Sequence, residues 1–167
     1  MAKTQNEVKL LTFLDKVQTA IVVAALSAMI VVVGLQVFFR FVVKGSLPWS
    51  EELARYLMVW TVFIGASLGA KEGAHIGVEA FVRLLPKTVY RFACLLAGII
   101  SIIFCIVIAV LSFKVVQGIF NAGQLSPAME IPMYWAYAAV PVGTVLMAIS
   151  FLQATLAKLF APEEESQ

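Results

Sequence analysis

Charged residues are almost absent from three long stretches of this chain. Residues 17–39 and 133–157 contain no Asp, Glu, Lys, Arg or His, and residues 88–113 contain only Arg91, close to their start. As helices these stretches would be ~35–39 Å long, which is enough to cross a hydrocarbon layer of ~30 Å. A charge in the middle of a bilayer costs several kcal/mol, so a membrane-spanning chain keeps its charges near the ends of its spans. The pattern predicts an integral membrane protein.

A fourth span is less obvious, because the apolar run at residues 56–70 is short for a crossing. The helix must therefore begin earlier. Pro48 favours a first helical turn, Ser50 is a candidate N-cap, and Glu51 and Glu52 complement the positive end of the helix dipole. The chain is 62% hydrophobic and only 13% charged, against about 25% charged in soluble domains. Residues 1–167 are predicted to form a single all-α membrane domain, with spans at about 17–39, 48–70, 88–113 and 133–157.

The orientation of these spans follows from the basic residues. With four spans, both termini and the middle loop share one side, and that side holds eight Lys and Arg residues against four on the other. Cytoplasmic loops carry the excess of basic residues, so both termini are predicted to be cytoplasmic. Pro141 is expected to kink the last span, and Tyr134, Trp135 and Tyr137 are expected to anchor its outer end.

The middle loop has helical periodicity. His75, Glu79, Arg83 and Lys87 recur every four residues and form a polar stripe, and the apolar residues lie away from it. This spacing predicts an amphipathic helix at about 74–85 that lies on the membrane surface between spans two and three.

Four glycines, at positions 65, 69, 73 and 77, also recur every four residues at the end of the second span. A row of glycines gives a helix a smooth face. We therefore expect Gly65, Gly69, Gly73 and Gly77 to support close helix packing, with a ligand contact as the less favoured alternative.

Few residues in the chain are suited to catalysis. Cys94 and Cys105 would lie ~16 Å apart along one helix, too far to form a disulfide. His75 is the only histidine, so no histidine-based metal cluster is expected, and no phosphate-binding loop or nucleophile motif is present. We predict that the chain is not an enzyme and has no cofactor. A net charge of +2 gives no indication of a nucleic-acid partner.

The densest group of functional side chains is the run Leu47-Pro-Trp-Ser-Glu-Glu-Leu-Ala-Arg-Tyr56. One interpretation is an ordinary helix start with Glu51 and Arg55 paired one turn apart. A second makes Glu51 or Glu52 a proton or cation site, although such carboxylates usually lie deeper in a bundle. A third makes Trp49, Glu51, Glu52 and Arg55 a polar contact with a partner subunit. This interpretation is favoured and overlaps with the first, because the cluster is predicted to form a local ion pair as well as the contact.

Several motifs resemble those of a known family. They are the run from Leu47 to Tyr56 followed by Trp60, Gly65-Ala-Ser and Lys71-Glu-Gly-Ala-His-Ile76, then Ser126-Pro-Ala-Met-Glu-Ile-Pro132 and Pro141-Val-Gly143. In this order they resemble the small membrane subunit of TRAP (tripartite ATP-independent periplasmic) transporters, the DctQ-like family. The resemblance covers about Val17 to Leu159. The main departure is Glu79, where many relatives carry Asp, which preserves the charge.

The resemblance implies one part of a three-part importer. A periplasmic substrate-binding protein would capture an organic acid such as sialic acid or a C4-dicarboxylate, and a large membrane transport subunit would move it with sodium. The small subunit would act as a static frame in the bilayer of a bacterial inner membrane. The residues themselves leave open a stand-alone four-helix carrier or channel. The frame is favoured, because the spans contain no charged residue apart from the cluster and Arg91, close to the start of the third span, and no pair of broken half-helices.

Overall fold

A computed structural model of the chain describes residues 2–73 and 87–160. These residues form the helices α1 (Ala2–Phe38), α2 (Pro48–Gly73), α3 (Lys87–Asn121), α4 (Tyr134–Tyr137) and α5 (Ala139–Phe160), and a π-helical segment, Phe39–Val43, prolongs α1. Four helical stretches are long and apolar enough to cross a membrane, namely Thr12–Val43, Pro48–Lys71, Phe92–Asn121 and Tyr134–Leu156. The predicted all-α fold with four candidate spans is confirmed. The orientation stays a prediction, and the predicted surface helix lies outside the described residues.

Helix α3 is longer than the predicted span, which was placed at residues 88–113. It continues past Lys114 to Asn121, because a single lysine near a span end can extend its charged group toward water without interrupting the helix. The helix ends where the chain reaches Gly123, which has a φ of 60°. Its N–H donates to the Phe120 carbonyl oxygen at 3.1 Å. A left-handed glycine just beyond the last turn is a common helix stop.

The last span is interrupted near its start. Helix α4 ends at Tyr137, and α5 begins at Ala139 after a turn residue, Ala138. Pro141 lies four residues after Tyr137, and a proline both lacks the N–H that would bond to that carbonyl and clashes with it. The kink expected from Pro141 therefore takes the form of a break one turn before the proline.

The four long helices pack in the spatial order α1, α2, α5, α3. Extensive contacts join α1 to α2, α2 to α5 and α5 to α3, and no other pair of the long helices makes more than a marginal contact within the described ranges. Helices α2 and α5 are therefore the inner members of the row. Helices α1 and α3 form its two ends and expose many large apolar side chains.

Close helix packing occurs at glycines other than those predicted. A Cβ added to Gly143 of α5 would lie 2.5 Å from the Cβ of Phe63 on α2, and one added to Gly98 of α3 would collide with Thr155 of α5. By contrast, a Cβ at Gly65 or Gly69 would meet nothing within 4 Å. Neither Gly65 nor Gly69 therefore makes a close helix contact among the described residues, and their role in helix packing stays a prediction. Gly73 is the last residue of α2, and Gly77 lies outside the described residues.

Candidate functional site

The predicted cluster lies in the first two turns of α2. Glu51 and Arg55 are one turn apart and exposed, and Trp49 is 38% exposed beside them. Glu52 is rotated by ~100° from Glu51 around the helix. Its side chain therefore turns toward the protein, and the residue is only 7% exposed. The cluster consequently divides into an outward part and an inward part.

Both oxygens of the inward carboxylate of Glu52 accept hydrogen bonds. Its Oε2 accepts from the backbone N–H groups of Ala128, at 2.9 Å, and Met129, at 3.1 Å. Its Oε1 accepts from the Tyr56 hydroxyl, one turn further along α2. Successive backbone N–H groups form a concave anion site, and charge-assisted hydrogen bonds are stronger than neutral ones. Glu52 thus ties the connection between α3 and α4 to the start of α2.

The α3–α4 connection, residues 122–133, is folded so that it can present these N–H groups. Leu125 and Pro132 form an isolated antiparallel bridge, and the Ser126 N–H donates to the Ile131 carbonyl oxygen at 2.9 Å. Glu130, with a φ of 54°, allows the tight return of the chain. The Ser126–Pro132 motif therefore forms a closed turn whose tip rests on Glu52.

The predicted ion pair between Glu51 and Arg55 is wrong. Glu51 Oε1 instead accepts a hydrogen bond from Gln36 Nε2 of α1 at 2.9 Å, and Arg55 has no ion-pair or hydrogen-bond partner in the described ranges. An exposed pair one turn apart gains only ~0.3–0.5 kcal/mol. That is too little to override a hydrogen bond offered by a packed neighbouring helix. The Arg55 guanidinium is therefore left unpaired by the described residues.

Ser50 does not serve as the predicted N-cap. The helix begins two residues earlier, at Pro48, and the buried Ser50 hydroxyl donates back to the Leu47 carbonyl oxygen at 2.7 Å. A side-chain cap has to precede the first turn in order to accept from its free N–H groups. Ser50 lies inside that turn and cannot do so.

Aromatic side chains surround the N-terminal part of α2 and helix α4. Trp60 Nε1 donates to the Trp135 carbonyl oxygen at 3.2 Å, and Trp135 and Tyr137 are 60% and 41% exposed. This arrangement suits the interfacial belt that Trp and Tyr form in membrane proteins. A cavity of about 550 Å³ opens between α2 and the α3–α4 connection, with Arg55 and Glu52 among its lining residues.

A second polar group joins α1 to α2 at their other ends, and sequence reasoning did not assign it. Lys71 forms an ion pair with Asp15. One turn closer to the middle of the helices, the buried Ser67 hydroxyl donates to Gln18 Oε1 at 2.8 Å. The sequence could have indicated an interhelical hydrogen bond at Gln18, because a glutamine in an apolar span commonly bonds to a neighbouring helix. Its partner could not be chosen without the packing of α1 on α2.

The remaining predicted site residues are not tested. His75, Glu79 and Arg83 lie outside the described residues, and Lys87 begins α3 with a side chain that is not described. Cys94 and Cys105 are both buried and unpaired, as expected from their spacing.

Comparison with known proteins places this arrangement in a family. Residues 29–161 match the family model described as "Tripartite ATP-independent periplasmic transporters, DctQ component". This match covers most of the chain, including the Glu52 cluster and the α3–α4 connection. The chain belongs to the DctQ family of TRAP transporter components.

Individual relatives agree with this assignment. The C4-dicarboxylate TRAP transporter small permease of Rhodobacter capsulatus is 35% identical over 108 residues, which are 65% of this chain and about half (48%) of that protein. The sialic acid TRAP transporter small permease of Vibrio cholerae is 28% identical over 149 residues, 88% of this chain and 84% of that protein. The isethionate TRAP transporter permease of Oleidesulfovibrio alaskensis is 23% identical over 137 residues, 78% of this chain but only 22% of that protein.

This DctQ family member is a multi-pass membrane component of a transporter and not an enzyme. The isethionate permease carries a similar region inside a much longer chain.

Proposed function

We propose that this protein is the small permease subunit of a sodium-coupled importer of organic acids in a bacterial inner membrane. It serves as a structural frame for a large membrane transport subunit, and a periplasmic substrate-binding protein delivers the substrate. Relatives named for C4-dicarboxylate, sialic acid and isethionate transport support an organic acid as the substrate class. The isethionate permease, which contains a similar region, supports a permanent association with a large subunit.

The observation that carries the frame role is the state of Glu52. A carboxylate that binds a coupling ion or substrate must turn its oxygens toward that ligand at some stage of transport. Both oxygens of Glu52 already accept hydrogen bonds, three in total, from Tyr56 and from the backbone of the α3–α4 connection. A carboxylate engaged in this way holds two parts of the fold together.

The helices support the same role. Transport sites in secondary carriers are commonly built from helices that break near the middle of the membrane. Helices α2 and α3 are continuous over 26 and 35 residues. The interruption in the last span is at Ala138, close to the outer end of that span. Asp15 and Lys71, near the opposite end of α2, neutralise each other.

Reconstitution tests this function and its alternative, a stand-alone carrier or channel. Liposomes that contain this chain alone should show no sodium-driven uptake of C4-dicarboxylates, sialic acid or isethionate. Liposomes with the large subunit and the binding protein should take up one of these acids in a sodium-dependent way, and omission of this chain should abolish uptake. Saturable uptake by the small subunit alone would refute the frame role and support the carrier.

A further inference from the structure

The two inner helices of the row each leave one face uncovered. Between residues 139 and 156 of α5, every exposed position is aliphatic: Val142, Val145, Ile149, Leu152 and Leu156. Between residues 50 and 71 of α2, the exposed positions form a single stripe one turn apart, here named the α2 stripe: Glu51, Arg55, Met58, Val62, Ala66 and Gly69. Two adjacent helices of similar length therefore offer outward surfaces of different chemistry.

The surface of α5 is the kind that lipid covers. Branched aliphatic side chains fill the space between a helix and the acyl chains at no polar cost. The α2 stripe differs in two respects. It carries charge in its second turn, at Arg55, and its side chains become smaller along the helix until they reach Ala66 and Gly69. Small residues bring no advantage toward lipid, but they allow the backbone of another helix to approach closely.

The small end of the α2 stripe has no partner among the residues that the structure describes. A Cβ at Gly69 would meet nothing within 4 Å. At the charged end of the stripe, Glu51 accepts a hydrogen bond from Gln36. Arg55 has no ion-pair or hydrogen-bond partner in the part of the chain that is described. Arg55 lies two turns into a span, ~10 Å along the helix from Pro48. A charge at this depth is expensive unless it reaches water or meets an opposite charge.

We propose that the α2 stripe is the surface on which one transmembrane helix of the large permease subunit docks. This proposal rests on the function proposed above. Charge complementarity defines the occupant. Its helix carries a carboxylate near its outer end that pairs with Arg55, and it packs closely against Val62, Ala66 and Gly69. The exposed face of α5 remains in lipid.

A matched pair of substitutions tests this surface. Gly143 of α5 abuts Phe63 of α2, so Val62 and Val142, the residues just before them, lie at about the same depth. They are 54% and 43% exposed. Val62→Phe and Val142→Phe are the same chemical change, one on each exposed face. The variants are coexpressed with a tagged large permease subunit, and the amount of small subunit recovered with it is measured.

Val62→Phe should lower the recovered complex by about tenfold, the scale of a lost central contact, whereas Val142→Phe should leave it unchanged. Arg55→Glu should lower recovery similarly. The control Lys114→Glu, a charge reversal at an exposed position of α3, should leave the recovery of the complex unchanged. The membrane yield and thermal unfolding of each variant purified alone report whether the chain itself still folds. Equal losses for Val62→Phe and Val142→Phe, or no loss for either, would overturn the proposal.

Site-specific cross-linking distinguishes the possible occupants. A cysteine introduced at position 62 should form a cross-link to the large subunit. The native cysteines are buried and should not compete in the reaction. Linkage to a second copy of this chain in the complete complex would overturn the proposal and assign the α2 stripe to a homodimer. If the wild-type chain binds the large subunit but neither α2 variant weakens the complex, only the docking surface is wrong. If the wild-type chain does not bind it at all, the proposed function is wrong as well.

Discussion

The substitution Gly143→Ala tests how tightly α2 and α5 pack. The added Cβ would lie 2.5 Å from Phe63 Cβ and 3.0 Å from the carbonyl carbon and oxygen of the same residue. Non-bonded carbon atoms prefer about 3.5–4.0 Å, so the two helices would have to separate by roughly 1 Å. Two of the three atoms belong to the backbone of α2 and cannot move aside by a change of rotamer.

The expected cost follows from these distances. Overpacking costs about 1–3 kcal/mol, and a backbone collision places this case at ~2–3 kcal/mol. Alanine gains up to ~1 kcal/mol over glycine inside a helix. The net loss in free energy of unfolding should therefore be ~1–2 kcal/mol. For a chain of this length, that corresponds to a fall in the unfolding temperature of roughly 2–8 °C.

The assay is thermal unfolding of the purified chain in detergent, followed by circular dichroism. Gly69→Ala is the matched control, because a Cβ at that position meets nothing within 4 Å. This variant should be as stable as the wild type, or more stable by up to ~1 kcal/mol. The packing argument is refuted if Gly143→Ala unfolds at or above the wild-type temperature, or if both variants lose the same stability.

Two further predictions concern the Glu52 contact and the orientation of the spans. Glu52→Ala should raise the hydrogen-exchange rate of the Ala128 amide by roughly tenfold, because its acceptor is lost. Glu52→Gln keeps an acceptor oxygen and should change the rate much less; equal rates in the two variants would contradict the clamp role of this side chain. For topology, a reporter active only in the periplasm should be active when fused at Ser46 and inactive at the C-terminus, as the excess of basic residues predicts. An active C-terminal fusion would exclude the orientation with both termini in the cytoplasm.

The four helical spans were predictable from sequence because they follow from the cost of charge in lipid. That cost acts on each segment independently of its neighbours. Charge-free stretches such as residues 133–157 can therefore be recognised as spans from the sequence alone. The proline effect is equally local, and Pro141 explains the break at Ala138. The family motifs were also readable in advance, and the family model confirmed them.

The pairing of polar groups and of helix faces was decided only by the tertiary structure. The sequence placed Glu51, Glu52 and Arg55 in one short run, which predicted an ion pair between neighbours. Packing instead brought Gln36 to Glu51 and brought a loop 76 residues away in sequence to Glu52. Likewise, periodic glycines indicate that a helix has a smooth face but do not indicate which neighbour it meets. That choice depends on the spatial order of the helices, because α2 packs on α1 and α5 with its other sides and leaves Gly69 outward.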